Sequence, residues 1–252
     1  MNSEKEAQEC LRLFGLEVCK IKESSTQTPD FFVRCNNNTY LVELKEKFTD
    51  KEYLKSRDRI LLQGNKFEEI TTAGRKKSIS NRIREACKQL NAIELEADFK
   101  IVWLYAKGHH PDFQMYDFES TLFGCEVLVD WGKEDGFSGF CYYYGHSDFF
   151  NNRNYLDGAI VTTSEEMKLC MNTCSPKYEL LKSSGLTKAF GYGVLDPVEL
   201  EKKGLALIVD TEIDRNDEVS IMQHLARKYA LQRPMKMDMQ QVCCTIALPP
   251  RN

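Results

Sequence analysis

Residues 29–45 constrain this chain more than any other stretch: PDFFVRC, then NNN, then TYLVELK. In an extended strand successive side chains point to opposite faces. Phe31, Val33 and Cys35 therefore share one side of a first strand, and Tyr40, Val42 and Leu44 one side of a second. Both sets are wholly apolar, so burial places them on one face of a hairpin. The opposite face then carries Asp30, Phe32 and Arg34 on one strand and Thr39, Leu41, Glu43 and Lys45 on the other. Two carboxylates and an ammonium converge at its open end. This holds only for one turn parity, because a slip of one residue carries a whole strand to the wrong face. A two-residue turn from Asn36-Asn37 or Asn37-Asn38 has the required parity, and Asn tolerates the positive φ such turns demand. A three-residue loop without a bulge would separate Asp30 from Glu43.

The flanking sequence gives this hairpin neighbours. Ala7, Cys10, Leu11 and Phe14 form an apolar stripe at helical spacing, with Ser3 as N-cap, Gly15 as the stop and the acids Glu4, Glu6 and Glu9 along it. Residues 16–21 alternate like a strand. Residues 46–77 are strongly charged with no clear apolar period and read as a peripheral or mobile insertion. A helix is predicted over 79–93 from Ile79, Ile83, Ala86, Cys87 and Leu90 on one face, and FKIVWLYA at 99–106 is a buried central strand. The order so far is α-β-β-β-α-β. Beyond it, helices are predicted at 116–123 and 217–231, and strands at 125–131, 140–144, 158–163, 205–210 and 242–248. The expected organisation is an α/β core over 1–130 followed by a C-terminal α/β extension over 131–252.

Composition narrows the function classes. No stretch approaches the roughly 18 apolar residues of a spanning helix, and no secretory leader is readable, so a soluble cytoplasmic protein is expected. The ten cysteines are dispersed, several of them (Cys19, Cys35, Cys243, Cys244) within apolar runs, which predicts buried reduced thiols rather than a disulfide or zinc framework. No phosphate-binding glycine motif is present, which argues against nucleotide hydrolysis. The net charge is −4, yet residues 45–88 hold thirteen Lys or Arg against seven acids. That local excess begins at Lys45 and suits a nucleic-acid backbone. His109-His110-Pro111-Asp112 reads as a polar loop, and His146, Asp148 and Asp157 as core and loop residues.

Pro29-Asp30 followed by Glu43-Leu44-Lys45, within the α-β-β-β-α-β order, resembles the PD-(D/E)XK nuclease superfamily over roughly residues 1–106. The resemblance implies a restriction-endonuclease-like core with a mixed central sheet and a metal-dependent nuclease, acting in restriction, repair or phage defence. It implies Asp30 and Glu43 as ligands of Mg²⁺ or Mn²⁺, the Leu44 carbonyl as a further ligand and Lys45 as the cation that positions the attacking water. The family's additional first-helix acid falls on Glu4, with Glu6 and Glu9 as alternatives. Substrate-facing residues fall on Gln89, Arg82 and Lys47. DNA is favoured over RNA as partner, without membrane contact, and a homodimer or partner protein is left open. The alternative is a nuclease-like module that binds nucleic acid or a protein without cutting.

Overall fold

The computed structural model describes residues 3–22, 28–47, 49, 51–108, 110–132, 136–237 and 241–247. The chain opens with helix α1 (Ser3–Leu13) and strands β1 (Glu17–Lys20), β2 (Phe31–Cys35) and β3 (Asn38–Lys47). Then come α2 (Lys51–Leu62), β4 (Phe67–Thr72), α3 (Lys77–Ala92) and β5 (Phe99–Ala106). The expected core order is present, interrupted once. The charged segment 46–77 holds α2 and β4 rather than an irregular loop. Its strand pairs with β13 (Gln241–Ile246) near the other end of the chain, a partner no local pattern could announce.

After β5 come α4 (Pro111–Phe123), β6 (Glu126–Asp130), β7 (Ser138–Tyr142), α5 (Asp148–Asn151), β8 (Gly158–Thr162) and β9 (Met167–Met171). The chain continues through α6 (Tyr178–Ser183), α7 (Gly185–Phe190), β10 (Val194–Leu195), α8 (Pro197–Lys202), β11 (Ala206–Ile208), α9 (Glu218–Tyr229) and β12 (Pro234–Met237). Helix α4 starts five residues before the predicted helix at 116. Pro111 lies in its first turn, where the missing N–H costs nothing, and burial on several sides removes the one-faced stripe that marks an amphipathic helix.

The central sheet has seven strands in the order β1-β2-β3-β5-β8-β9-β10, with parallel pairs β3/β5, β5/β8 and β9/β10 and the other pairs antiparallel. It is therefore α/β and mixed, as expected. The expected division at residue 130 does not coincide with an edge of this sheet, because Gly158–Thr162 pairs directly with the β5 strand from the first half. A second sheet, β11-β7-β6-β12, stands beside it.

Two apolar clusters lie on opposite faces of the central sheet. Phe31, Val33, Tyr40, Val42, Leu44, Ile101 and Trp103 pack with Ala7 and Leu11 of α1 and with α6 and α7. Leu41, Val102 and Leu104 pack with α3, α4 and the second sheet. β3 and β5 are covered on both faces, which explains their near-continuous apolar sequence. Each such side chain contributes roughly 1.5–3 kcal/mol by leaving water. All ten cysteines are free; Cys87, Cys141 and Cys170 are buried, but Cys19 and Cys243 are exposed and Cys35 and Cys244 only half-buried. The expectation of burial fails for these four because they lie on an edge strand, at the hairpin turn and on a two-stranded ribbon. Among the described residues no helix is long and apolar enough to cross a membrane.

Candidate active site

The hairpin register runs from Phe31↔Val42 to Cys35↔Asn38, leaving Asn36-Asn37 as a two-residue turn with Asn36 at φ 52°. This is the parity the alternation required. One step further along that register, Asp30 stands across from Glu43; one more, Pro29 stands across from Leu44. The Asp30 carbonyl accepts the Ile21 N–H at 2.9 Å, so its backbone serves the β1 side of the strand. Its side chain turns the other way, and Oδ2 accepts the Leu44 N–H at 2.7 Å. In a regular ladder that N–H would go to residue 29, which would in return donate to the Leu44 carbonyl. Proline has no N–H to give. The Pro-Asp pair therefore ends the ladder, fixes the Asp30 carboxylate and leaves the Leu44 carbonyl without a donor from that strand.

Glu43, 2% exposed, lies between two neighbours. Its Oε1 accepts from Lys45 Nζ at 2.6 Å, and Lys45 Nζ also donates to Gln89 Oε1 at 2.5 Å. Gln89, on α3, is steadied by the Thr28 carbonyl, 3.4 Å from its Nε2. Glu43 Oε2 is buried with no hydrogen-bond partner, and Asp30 lies near enough for its charge to act on Glu43. Burial, followed by the charge of Asp30, pushes the Glu43 carboxyl up to about 7, against the pull of Lys45. Asp30 is also raised, first by burial and then by Glu4, while the Leu44 N–H and Lys45 act in the opposite direction. Two carboxylates held this close out of water favour protonation unless a cation joins them.

The remaining predicted residues separate. Glu4 lies near enough to act on Asp30 and is paired with Lys20. Glu6 instead faces Lys107 at 2.7 Å, and Glu9 is exposed. Arg82 donates to the Glu46 carbonyl at 2.6 Å, two turns of α3 from Gln89. Lys47, expected to face substrate, has its half-buried ammonium 3.5 Å from Asp117 of α4, which covers this end of the strand. Asp117 also accepts the Gly74 N–H at 2.9 Å and lies 3.9 Å from Lys76. It ties the active strand to the loop before α3, and its distance in sequence hid it. His110 sits at the N-cap of α4 in the left-handed region, while His109 lies outside the described residues. His146 contacts Asn216, Asp148 accepts from Ser80 Oγ, and Asp157 accepts from Ser175 Oγ and the Lys100 N–H, all structural uses.

Among the described residues no group of three or more His, Cys, Asp or Glu side chains is arranged to hold a metal ion. The oxygen donors here are two carboxylates and one backbone carbonyl. Comparison of the chain with protein-family models, with curated proteins and with solved structures found no match.

Proposed function

We propose that this chain is a Mg²⁺- or Mn²⁺-dependent nuclease that hydrolyses phosphodiester bonds, in DNA rather than RNA, at a site formed by Asp30, Glu43, Leu44 and Lys45. The observation that carries the reading is Glu43 Oε2, a buried carboxylate oxygen without a hydrogen bond beside a second carboxylate. A buried polar atom left without a hydrogen bond costs roughly 1–3 kcal/mol, so such an arrangement suits a cation. Asp30, Glu43 and the Leu44 carbonyl are hard oxygen donors of the type Mg²⁺ takes while keeping waters of its own. An ion held there would polarise a phosphoryl oxygen and acidify a bound water.

The chain's own residues do the rest. Asp30 is oriented by the Leu44 N–H and needs no rearrangement to present its carboxylate. Lys45 spends two of its three N–H donors on Glu43 and Gln89, leaving one to hold a water or a phosphate oxygen. Gln89 fixes that ammonium from a helix, so the attacking water is positioned by rigid elements. The local excess of Lys and Arg suits a polyanionic substrate.

The test is incubation of the purified protein with plasmid and linear DNA, with Mg²⁺ and with chelator. Metal-dependent cleavage is expected, abolished in Asp30→Asn and Lys45→Ala. Cleavage that persists undiminished in both variants would falsify the site. One observation favours a non-cutting module instead: Glu43 and Lys45 already neutralise each other within the chain. That reading predicts salt-sensitive binding of nucleic acid with no metal-dependent cleavage.

A further inference from the structure

A polar cleft of about 350 Å³ lies on the α3/α4 side of the molecule. Its walls are the 72–76 loop, Tyr116 and Ser120 of α4, the 144–146 segment and Arg215. The volume matches the lower end of the range for small-ligand pockets, roughly 300 Å³, which is enough for one nucleotide. A chain of contacts joins the cleft to the acid pair. From Gln89, α3 leads to Arg82 on the Glu46 carbonyl, and Lys47 at the end of the same strand shares Asp117 with Lys76, which lines the cleft.

The cations at the cleft are held mainly by neutral partners. Arg75 Nε donates to the His146 carbonyl at 3.0 Å, and its nearest carboxylate oxygen, on Asp148, is 4.0 Å away. Lys76 Nζ donates to Thr72 Oγ1 at 3.1 Å and stays 3.9 Å from Asp117. Arg215 donates to the Ile213 and Thr211 carbonyls at 2.5 and 2.7 Å. The wall itself holds two acids, Glu126 and Glu218, and Glu218 is ion-paired with Lys236. Tyr116, half-buried and tilted against Phe140 with ring centres 6.2 Å apart, lines the cleft beside these cations.

We propose that the cleft takes one unstacked nucleotide of the bound strand, with its phosphate at Arg75 and Lys76 and its base against Tyr116. This rests on the nucleic-acid reading above, and it gives the strand a second anchor away from the acid pair. Phosphate contacts supply affinity, whereas stacking on an aromatic ring accepts any base. The cleft therefore selects single-stranded or frayed segments over closed duplex.

Binding can be measured by anisotropy of a labelled single-stranded oligonucleotide, using the full chain carrying Glu43→Gln. Adding Lys76→Glu should weaken binding roughly tenfold and lower the salt slope by about one, while Lys188→Glu on the opposite face should leave both unchanged. Adding Tyr116→Ala should weaken it by roughly fivefold or more. Crosslinking of a halogenated-uracil oligonucleotide to the otherwise unmodified chain, read by mass spectrometry, avoids dependence on variants that fold poorly. It should label the peptide containing Tyr116. Equal effects of Lys76→Glu and Lys188→Glu, or crosslinks confined elsewhere, overturn the proposal. Neither measurement needs cutting, so loss of the cleavage reading with the crosslink intact separates the two failures.

Discussion

Two acid-and-lysine clusters sit at the same end of β3, on opposite faces of the sheet; each sets one ammonium against two carboxyls and leaves one buried carboxylate oxygen, Glu46 Oε1 or Glu43 Oε2, without a hydrogen bond, and they differ in how deeply their acids are buried. On the α1 face, Lys107 donates to Ser3 Oγ, faces Glu6 at 2.7 Å and Glu46 at 3.6 Å, and rests 4.4 Å from the centre of the Tyr105 ring. Its hydrogen bond holds the Glu6 carboxyl below the usual range. On the α3 face, one ammonium stands against the buried Glu43 and the half-buried Asp30, and Glu43 is pushed up rather than down. The first cluster joins a helix to a strand end. The second carries the same charge count but holds Glu43 out of water, and that desolvation is what suits it to the proposed cation. Acid clusters become informative when the burial of their members is weighed with their charge.

The comparison breaks most decisively on activity. Glu43→Gln should lower metal-dependent cleavage by roughly a thousandfold, on the scale of losing one charge-stabilising group at an active site. Lys107→Met should leave turnover within a few-fold, although it too removes an ammonium from an acid cluster. Comparable losses in both would erase the distinction drawn between the faces.

The next effect is on stability. Folding raises the proton affinity of Glu43 from the ordinary 4.5 to about 7, so the folded chain binds more protons than the unfolded one between those values. Stability from this group is therefore greatest at low pH and falls as pH rises through that window, by up to about 3 kcal/mol. In chelator, Tm should drop between about pH 5 and about pH 7.5, more steeply in the parent than in Glu43→Gln. Mg²⁺ should raise Tm more at the upper pH, since it binds the ionised pair. A Tm with the same pH dependence in both proteins would remove the burial of Glu43 from the account.

Smaller effects sharpen the picture. Gln89→Ala should reduce kcat about tenfold with little change in KM, because it frees the Lys45 ammonium rather than removing it. A matching change in KM alone would assign Gln89 to substrate binding. Lys107→Met should cost about 1 kcal/mol in denaturant unfolding, the scale of a half-buried ion pair at the α1 docking site. No loss there would mean the α1 face is held by its apolar contacts alone.

Much of the candidate site was legible because strand alternation is local. Phe31, Val33, Tyr40 and Val42 require one buried face, and that alone sends Asp30 and Glu43 to the other. The family resemblance put Gln89 near substrate; its contact with Lys45 comes from the packing of α3 against β3. The pairing of Lys47 with Asp117 was not legible, because nothing within the first hundred residues tells that α4 brings Asp117 over it. The pairing of β4 with β13 was invisible for the same reason, since the two strands lie about 170 residues apart and neither carries a strong apolar pattern.

By itself, then, the amino-acid order determined what adjacent residues can settle: the apolar and polar faces of each hairpin strand, the turn parity they require, the proline that cannot complete the ladder and the stripe of α3; the register then chose Asn36-Asn37. Those properties follow from backbone geometry and burial over a few residues. Tertiary structure alone decided which charges are balanced. It gave Lys107 to Glu6, Lys47 to Asp117 and Lys45 to both Glu43 and Gln89, and left Glu43 Oε2 without a hydrogen bond. The strength of a charge depends on distance and on the exclusion of water, and both are set by elements brought together from across the chain.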